Sequence, residues 1–206
     1  MRPNKQKFKM RQILSEKRLK LPDSRADTLR KYPTIIWLTG LSGSGKTSIA
    51  NALEAMLTAD GLHSVVLDGD TLRIGLNSDL GFTAADRTEN ARRTAEVARM
   101  MAKAGLITIV ALISPMRADR ALARKIAGEV RFFEVFIDAS LAQCEARDVK
   151  GLYALARAGS IKQFTGISAP YEPPMDPDLI LRTADWTVSD SAMHLKTEVL
   201  RPTSLQ

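Results

Sequence analysis

The sequence predicts an α/β fold of three layers, in which helices cover both faces of a central, mainly parallel sheet. Apolar runs of strand length alternate along the chain with longer helix-like segments, which is the order of strands joined by crossover helices. The run 106–113 is apolar except for Thr108, as is typical of a strand that is buried on both faces. A glycine-rich loop between the first strand and the first helix adds a third indication, because open parallel sheets bind ligands at such junctions.

The elements follow from these patterns in chain order. Thr83 with Asp86 three residues later resembles a capping box and begins a long helix. Segment 71–82 is predicted as a loop or a short helix, and the glycines and prolines of 149–181 predict a lid. We predict strands over 34–39, 64–67, 106–113, 132–137 and, at the end, 185–188. Helices are predicted over 46–60, 84–103, 118–127 and 141–148, and the stretch after 191 is short for a final helix.

The loop Gly40-Leu41-Ser42-Gly43-Ser44-Gly45-Lys46-Thr47 predicts a polyphosphate site. Its glycines let successive N–H groups point at one anion, and the helix behind it adds partial positive charge. Lys46 is expected to reach the β- and γ-phosphates, and the Thr47 hydroxyl is expected to hold Mg²⁺. Asp68 and Asp70 end the second strand, so they face the same crevice as the loop.

The chain has 206 residues and a net charge of +7, which is unevenly distributed. Residues 1–31 carry eleven Lys and Arg against three acidic residues, and the remainder is close to neutral. We therefore predict a basic extension over 1–31, a domain over 32–190 with its lid at about 149–181, and a tail over 191–206. Within this sequence we expect no membrane span and no secretory signal, because no apolar run is long enough. The single cysteine, Cys144, excludes an internal disulfide and fits a cytoplasmic location.

Motifs over residues 34–183 resemble those of the adenylylsulfate kinase (APS kinase) family of P-loop kinases. The most specific are Asp68-Gly69-Asp70, Leu80-Gly81-Phe82 and Phe164-Thr165-Gly166-Ile167. Thr71 departs from the usual Asn of the family, and Ala154-Leu155 replaces a usual basic pair. The resemblance implies a P-loop kinase fold and transfer of the ATP γ-phosphate to the 3′-hydroxyl of adenosine 5′-phosphosulfate (APS). This reaction gives 3′-phosphoadenylyl sulfate in sulfate assimilation.

The resemblance also implies roles for individual residues. Lys46, Asp68 and Ser114 are the expected catalytic residues, and Thr47 with Asp68 is the expected Mg²⁺ site. ATP is expected to contact the residues of the loop and its flank: Gly40, Leu41, Ser42, Gly43, Ser44, Gly45, Lys46, Thr47, Ser48 and Arg147. The acceptor is expected to contact a second set of residues: Asp70, Arg73, Phe82, Arg87, Asn90, Ile113, Ser114, Lys150 and Phe164. Within that set, Phe82 and Phe164 are expected to enclose the adenine, and Arg87 with Asn90 to meet the phosphosulfate.

Simpler interpretations remain open for several of these residues. Asp68 is also a candidate helix cap, the two phenylalanines are candidate core residues, and Lys150 and Arg147 suit a solvated helix face. For Ser114 we favour a positioning role over a phosphoserine intermediate, because direct transfer needs no covalent step; capping of the next helix is a third alternative.

Two other functions remain open as well. One is a P-loop kinase for another small acceptor, such as a sugar acid or a nucleoside monophosphate, which does not need Arg73, Arg87 and Asn90 together. The other is a nucleotide-binding module that uses the basic extension to bind a polyanion, although nucleic acid is the less favoured partner. The family resemblance leaves open a homodimer and a functional link to an ATP sulfurylase.

Overall fold

The computed structural model describes residues 33–201, and the predictions for 1–31 and for the last residues of the tail lie outside them. Within this part of the chain the sheet has five strands, all paired in parallel, in the order β2-β3-β1-β4-β5. The strands are β1 (Thr34–Thr39), β2 (Ser64–Asp68), β3 (Ile107–Ala111), β4 (Arg131–Asp138) and β5 (Leu179–Arg182). The helices are α1 (Lys46–Ala59), α2 (Gly69–Ile74), α3 (Ala84–Lys103), α4 (Arg117–Ala127), α5 (Leu141–Arg147), α6 (Leu152–Arg157) and α7 (Val188–Leu200).

The predicted three-layer α/β class is confirmed by two apolar cores on opposite faces of this sheet. Side chains alternate along β1, so that Ile36 and Leu38 pack against α1 and α7 on one face. Ile35 and Trp37 point to the other face, where they meet α3 and α4. On that face α3 contributes Ala91, Ala95, Ala98 and Ala102, whose small side chains allow α3 to lie close to the sheet.

The ends of α3 and α5 are set by local hydrogen bonds. The Thr83 hydroxyl accepts from the Asp86 amide while the Asp86 carboxylate accepts from the Thr83 amide, as the capping-box prediction requires. Ser140 and Gln143 form the same reciprocal pair at the start of α5. Each cap fixes the first turn of its helix and so sets the direction in which the helix begins.

Three sequence-based predictions at the C-terminal end are wrong. The last strand is Leu179–Arg182, not 185–188, and it pairs with β4. The last residues of the expected lid therefore belong to the sheet. Thr187 instead caps a helix, because its hydroxyl accepts from the Asp190 amide. This helix, α7, extends from Val188 to Leu200 across the expected boundary at 190. Leu195 and Val199 of α7 belong to the core, so residues 191–200 are not a loose tail.

No helix among residues 33–201 is both long enough and apolar enough to cross a membrane.

Candidate functional site

A cavity of about 1030 Å³ lies at the carboxyl edge of the sheet, where β1, β2 and β3 end. The phosphate loop and the first turn of α1 form one wall, and α2 and the start of α3 form another. Residues of the chain from 147 to 165 line the cavity as well, and they include the first part of the predicted lid. The carboxyl edge of a parallel sheet is where such folds bind ligands, which makes this cavity the candidate site.

The phosphate loop depends on glycine at two positions. Gly40 has a φ of 153°, and a Cβ there would lie 2.6 Å from the carbonyl oxygen of Ile137. Gly45 precedes α1 with a φ of 107°, which turns the chain into the helix. The residues at the start of α1 line the cavity, so the N-terminal end of this helix is available to an anion.

Lys46 lies buried over this loop. Its ammonium group donates to the carbonyl oxygens of Leu41 at 2.7 Å and of Gly40 at 3.0 Å. Burial lowers the pKa of Lys46 to about 8, although the carboxylates of Asp68 and Asp70 act in the opposite direction. A buried cation in this position attracts an anion strongly, because a nearby negative charge favours the charged form that burial disfavours.

Thr47 and Asp68 join the loop to the end of β2. The Thr47 hydroxyl donates to Oδ2 of Asp68 at 2.8 Å. The second oxygen, Oδ1, accepts from the amides of Asp70 and Thr71 and so caps α2. The capping alternative is therefore correct in geometry, yet it uses Oδ1 and leaves Oδ2 beside Thr47 at the cavity.

Ser114 follows β3 and is held by hydrogen bonds from other side chains. Its Oγ accepts from the indole N–H of Trp37 at 3.0 Å, and its carbonyl accepts from Arg120 at 2.7 Å. Its φ of 37° is unusual for a residue with a side chain and marks a constrained turn into the cavity. The alternative that Ser114 caps α4 is wrong, because the residue before α4 is Met116.

Asp70 and Lys150 face each other across the opening of the cavity. Their side chains form an ion pair that joins α2 to the chain just before α6. Both side chains are more than half exposed, so the pair contributes little to stability and can open when a ligand binds.

Arg73 and Arg87 both lie close to the ring of Phe82. The guanidinium carbons are 4.4 Å and 5.7 Å from the ring centroid. Burial and then repulsion from Arg73 lower the pKa of Arg87, so the two cations crowd each other. An anion between them relieves that repulsion, which fits a ligand with a phosphate or sulfate group. Phe82 is 58% exposed, so the core alternative is wrong for this residue.

Phe164 and Tyr153 form a buried aromatic pair in the lid. Their rings meet edge to face with centroids 4.9 Å apart. Phe164 is 8% exposed but still lines the cavity, so it acts as a core residue and as a wall at once. The Tyr153 hydroxyl donates to the Ser42 carbonyl at 2.9 Å, a link to the phosphate loop that the sequence analysis missed.

Arg147 joins the phosphate loop to the chain after β5. It donates to the carbonyl oxygens of Gly43 and Thr183 and to the Thr183 hydroxyl. The cavity wall continues from Thr183 through Trp186 to Ser191, a stretch for which the sequence analysis named no site residue. Of the other predicted residues, Ser48, Asn90 and Ile113 also line the cavity, whereas Gly40 and Leu41 are not part of its lining.

Comparison with known proteins gives a consistent result. Residues 32–182 match the family model described as adenylylsulphate kinase. An adenylyl-sulfate kinase from Burkholderia ambifaria is 56% identical over 161 residues, which are 78% of this chain and 89% of that protein. A solved structure of the Mycobacterium tuberculosis APS kinase CysC, in complex with AMPPNP and APS, is 49% identical with a TM-score of 0.79. That match covers 81% of this chain and 96% of the solved one.

Longer relatives match the chain equally well. The bifunctional enzyme NodQ from Rhizobium tropici is 56% identical over 178 residues, which are 86% of this chain. The chain spans only 28% of the length of that relative.

Proposed function

Because the chain belongs to the adenylylsulfate kinase family, we propose that it transfers the γ-phosphate of ATP to the 3′-hydroxyl of adenosine 5′-phosphosulfate. The products are ADP and 3′-phosphoadenylyl sulfate. One observation carries this proposal: a single cavity joins the phosphate loop to Arg73, Arg87 and Phe82, which suit an anionic adenine nucleotide. A donor site and a matched acceptor site in one cavity are what phosphoryl transfer requires.

The donor half is the loop from Gly40 to Thr47 together with Ser48. Its backbone N–H groups bind the β- and γ-phosphates, while Lys46 turns its ammonium group from the loop carbonyls toward the phosphate oxygens. Arg147 contributes a planar cation beside the loop, in a position to stack on the adenine of ATP. Together these groups hold the γ-phosphate and stabilise the charge that develops on it.

The chemistry of Thr47 and Asp68 fits Mg²⁺. Their oxygens lie 2.8 Å apart at the cavity, and no cluster of three or more His, Cys, Asp or Glu side chains within residues 33–201 offers a protein-only metal site. Mg²⁺ in kinases is commonly held by one or two protein oxygens and the phosphates, so Thr47 and Asp68 would hold it here. When bound, it neutralises charge on the β- and γ-phosphates.

The acceptor half orients the 3′-hydroxyl for direct transfer. Phe82 and Phe164 contact the adenine, Arg87 and Asn90 bind the phosphosulfate, and the ribose faces the end of β2. The 3′-oxygen forms a bond to the γ-phosphorus while the bond from that phosphorus to the β-bridging oxygen breaks. The 3′-hydroxyl proton passes to the Asp68 carboxylate or to water held by it. Ser114 fixes the floor of the site through Trp37 and Arg120.

The wider context of the reaction is also a proposal. The relatives named as bifunctional enzymes support a functional link to an activity that supplies APS, such as an ATP sulfurylase. A homodimer, a cytoplasmic location and a role for the basic extension stay predictions from the sequence.

A coupled assay of ADP release tests the proposal. With ATP and Mg²⁺, we expect ADP to form only when APS is added, at a rate that saturates with APS. AMP, which lacks the sulfate, and gluconate are the comparison acceptors, and both should be far poorer. Lys46→Ala is the negative control, with turnover lower by orders of magnitude. A folded sample that releases no ADP with APS, or that prefers gluconate, would contradict the proposed reaction.

A further inference from the structure

Asn77 is a buried residue that does not line the cavity itself but is hydrogen-bonded to Asn90, which does. It lies in the turn between α2 and α3 and is fully buried. Its Nδ2 donates to Oδ1 of Asn90 at 3.0 Å. Asn90 lines the cavity beside Arg87, and its backbone carbonyl accepts from the Thr94 hydroxyl.

This hydrogen bond determines which way round the Asn90 carboxamide lies. A carboxamide has one accepting oxygen and one donating nitrogen, and either can face a ligand. Since Oδ1 of Asn90 is the atom that receives the bond from Asn77, the group left for a ligand is the Nδ2 amide. Asn90 therefore presents a donor, which is the group that an anionic oxygen requires.

The arrangement is not explained by stability alone. Oδ1 of Asn77 is buried without a hydrogen-bond partner among the described residues. A buried acceptor without a partner destabilises a fold, and an apolar side chain at this position would avoid that cost. The backbone of Asn77 already holds the turn, because its amide donates to Leu72 and its carbonyl accepts from Leu80.

We propose that Asn77 is a positioning residue for the acceptor: it holds the Asn90 carboxamide with its amide toward the phosphosulfate group of the acceptor nucleotide. This inference rests on the proposed function of the same site. It predicts that Asn77 affects the binding of the acceptor but not the binding of the donor nucleotide.

The test compares steady-state kinetics of Asn77→Ala, Asn90→Ala and the double variant in the full chain. For Asn77→Ala we expect the KM for APS to rise about tenfold while the KM for ATP changes less than about twofold. In the Asn90→Ala background the same substitution should have no further effect on the KM for APS, because the group that it positions is gone. Ser78→Ala is the matched control, since Ser78 lies in the same turn with an exposed side chain and should behave as the unmodified chain.

Several results would overturn the inference. Equal rises in both KM values would assign Asn77 to the general stability of the site. An undiminished effect in the Asn90→Ala background would show that Asn77 does not act through Asn90. If Asn77→Ala does not fold by circular dichroism, Asn77→Ser replaces it, and failure of both variants to fold would likewise assign Asn77 to the stability of the turn. Failure of the proposed function is distinct from all of these, because the unmodified chain would then release no ADP with APS.

Discussion

The hydroxyl of Thr47 donates to Oδ2 of Asp68 across 2.8 Å and so connects the first turn of α1 with the end of β2. Asp68 uses its two oxygens for different purposes, since Oδ1 caps α2 and Oδ2 faces the cavity. A structural and a chemical role thus meet on one carboxylate, and substitutions can separate them.

Asp68→Asn should retain the cap and remove the charge. Asparagine caps helices about as well as aspartate, so we expect the midpoint of thermal unfolding to change little. Turnover should fall about 10²- to 10⁴-fold, because the amide neither accepts the 3′-hydroxyl proton nor serves Mg²⁺ as well. Asp68→Ala is the comparison and should lose about a further 1 kcal/mol of stability with the cap. Near-normal turnover of the Asn variant would limit Asp68 to capping.

Lys46→Met should make the ligand-free protein more stable at pH 7 while abolishing activity. Burial lowers the pKa of Lys46 from 10.5 to about 8, so the charged side chain that is present at pH 7 destabilises the folded state. Replacing it with an apolar side chain should raise the free energy of unfolding by about 1–3 kcal/mol.

The pH dependence of that gain has a defined sign. Below pH 8 Lys46 is charged in the folded and unfolded states alike, so the full cost of burying its charge lowers the free energy of unfolding. As the pH rises from about 8 toward 10.5, Lys46 loses its proton in the folded state and keeps it in the unfolded state. The difference in unfolding free energy between the Lys46→Met variant and the unmodified protein should therefore narrow. Urea unfolding at pH 7 and 9.5 measures this, with Lys103→Met, an exposed site, as the control. A gap that widens with pH would contradict the lowered pKa.

Nucleotide binding should take up protons near pH 8. The phosphates of a bound ATP analogue favour the charged form of Lys46 and raise its pKa above about 8. Affinity should therefore weaken as the pH rises past 8, by up to about tenfold per pH unit. Titration calorimetry from pH 7 to 9 measures this slope. Lys46→Arg, which stays charged throughout, should flatten it, and an unchanged slope in that variant would assign the dependence to another group.

Lys150→Gln should affect acceptor use more than stability. The ion pair with Asp70 is exposed, so unfolding free energy should change by less than about 1 kcal/mol. Removing the cation at the cavity opening should lower kcat/KM for APS about tenfold. Arg157→Gln breaks a partly exposed pair with Glu145 outside the cavity and should leave the kinetics unchanged. Equal effects of the two variants would mean that the Asp70–Lys150 pair has no special role.

Phe82→Ala should raise the KM for APS about tenfold, since stacking on a base is worth about 1–3 kcal/mol. Phe82 is largely exposed, so its loss should leave the thermal midpoint nearly unchanged. Phe82→Tyr keeps an aromatic ring beside Arg73 and Arg87 and should retain most of the affinity. If the Tyr variant is as impaired as the Ala variant, the ring is not the recognition element.

Local signals were sufficient for most of the scaffold. The long apolar runs, the capping box at Thr83 and the rule that ligands bind at strand ends placed four strands, α3 and the two aspartates. Near the C-terminus, the strand propensity of Trp186 and Val188 is overridden by a helix start. Thr187 caps α7 by accepting a hydrogen bond from the Asp190 amide, and Thr187 followed by Asp190 is the local signal of that start.

The missed contacts have a different origin. Tyr153 bonds to Ser42 across 111 positions in sequence, and Trp37 bonds to Ser114 across 77. No periodicity or spacing encodes which of many polar groups will meet when two distant segments pack. The bond from Asn77 to Asn90 spans 13 positions, but it depends on the path of a turn that the sequence did not specify.

The chain has two tryptophans, and the fold gives them contrasting surroundings. Trp37 is fully buried behind Ser114, whereas Trp186 is 41% exposed on the cavity wall near the loop. The emission of Trp37 should therefore be blue-shifted and insensitive to soluble quenchers, and that of Trp186 red-shifted and quenchable. Replacing either indole with phenylalanine leaves a protein with a single tryptophan, whose emission can be excited selectively. Occupancy of the donor half can then be followed by intrinsic fluorescence, without any added label.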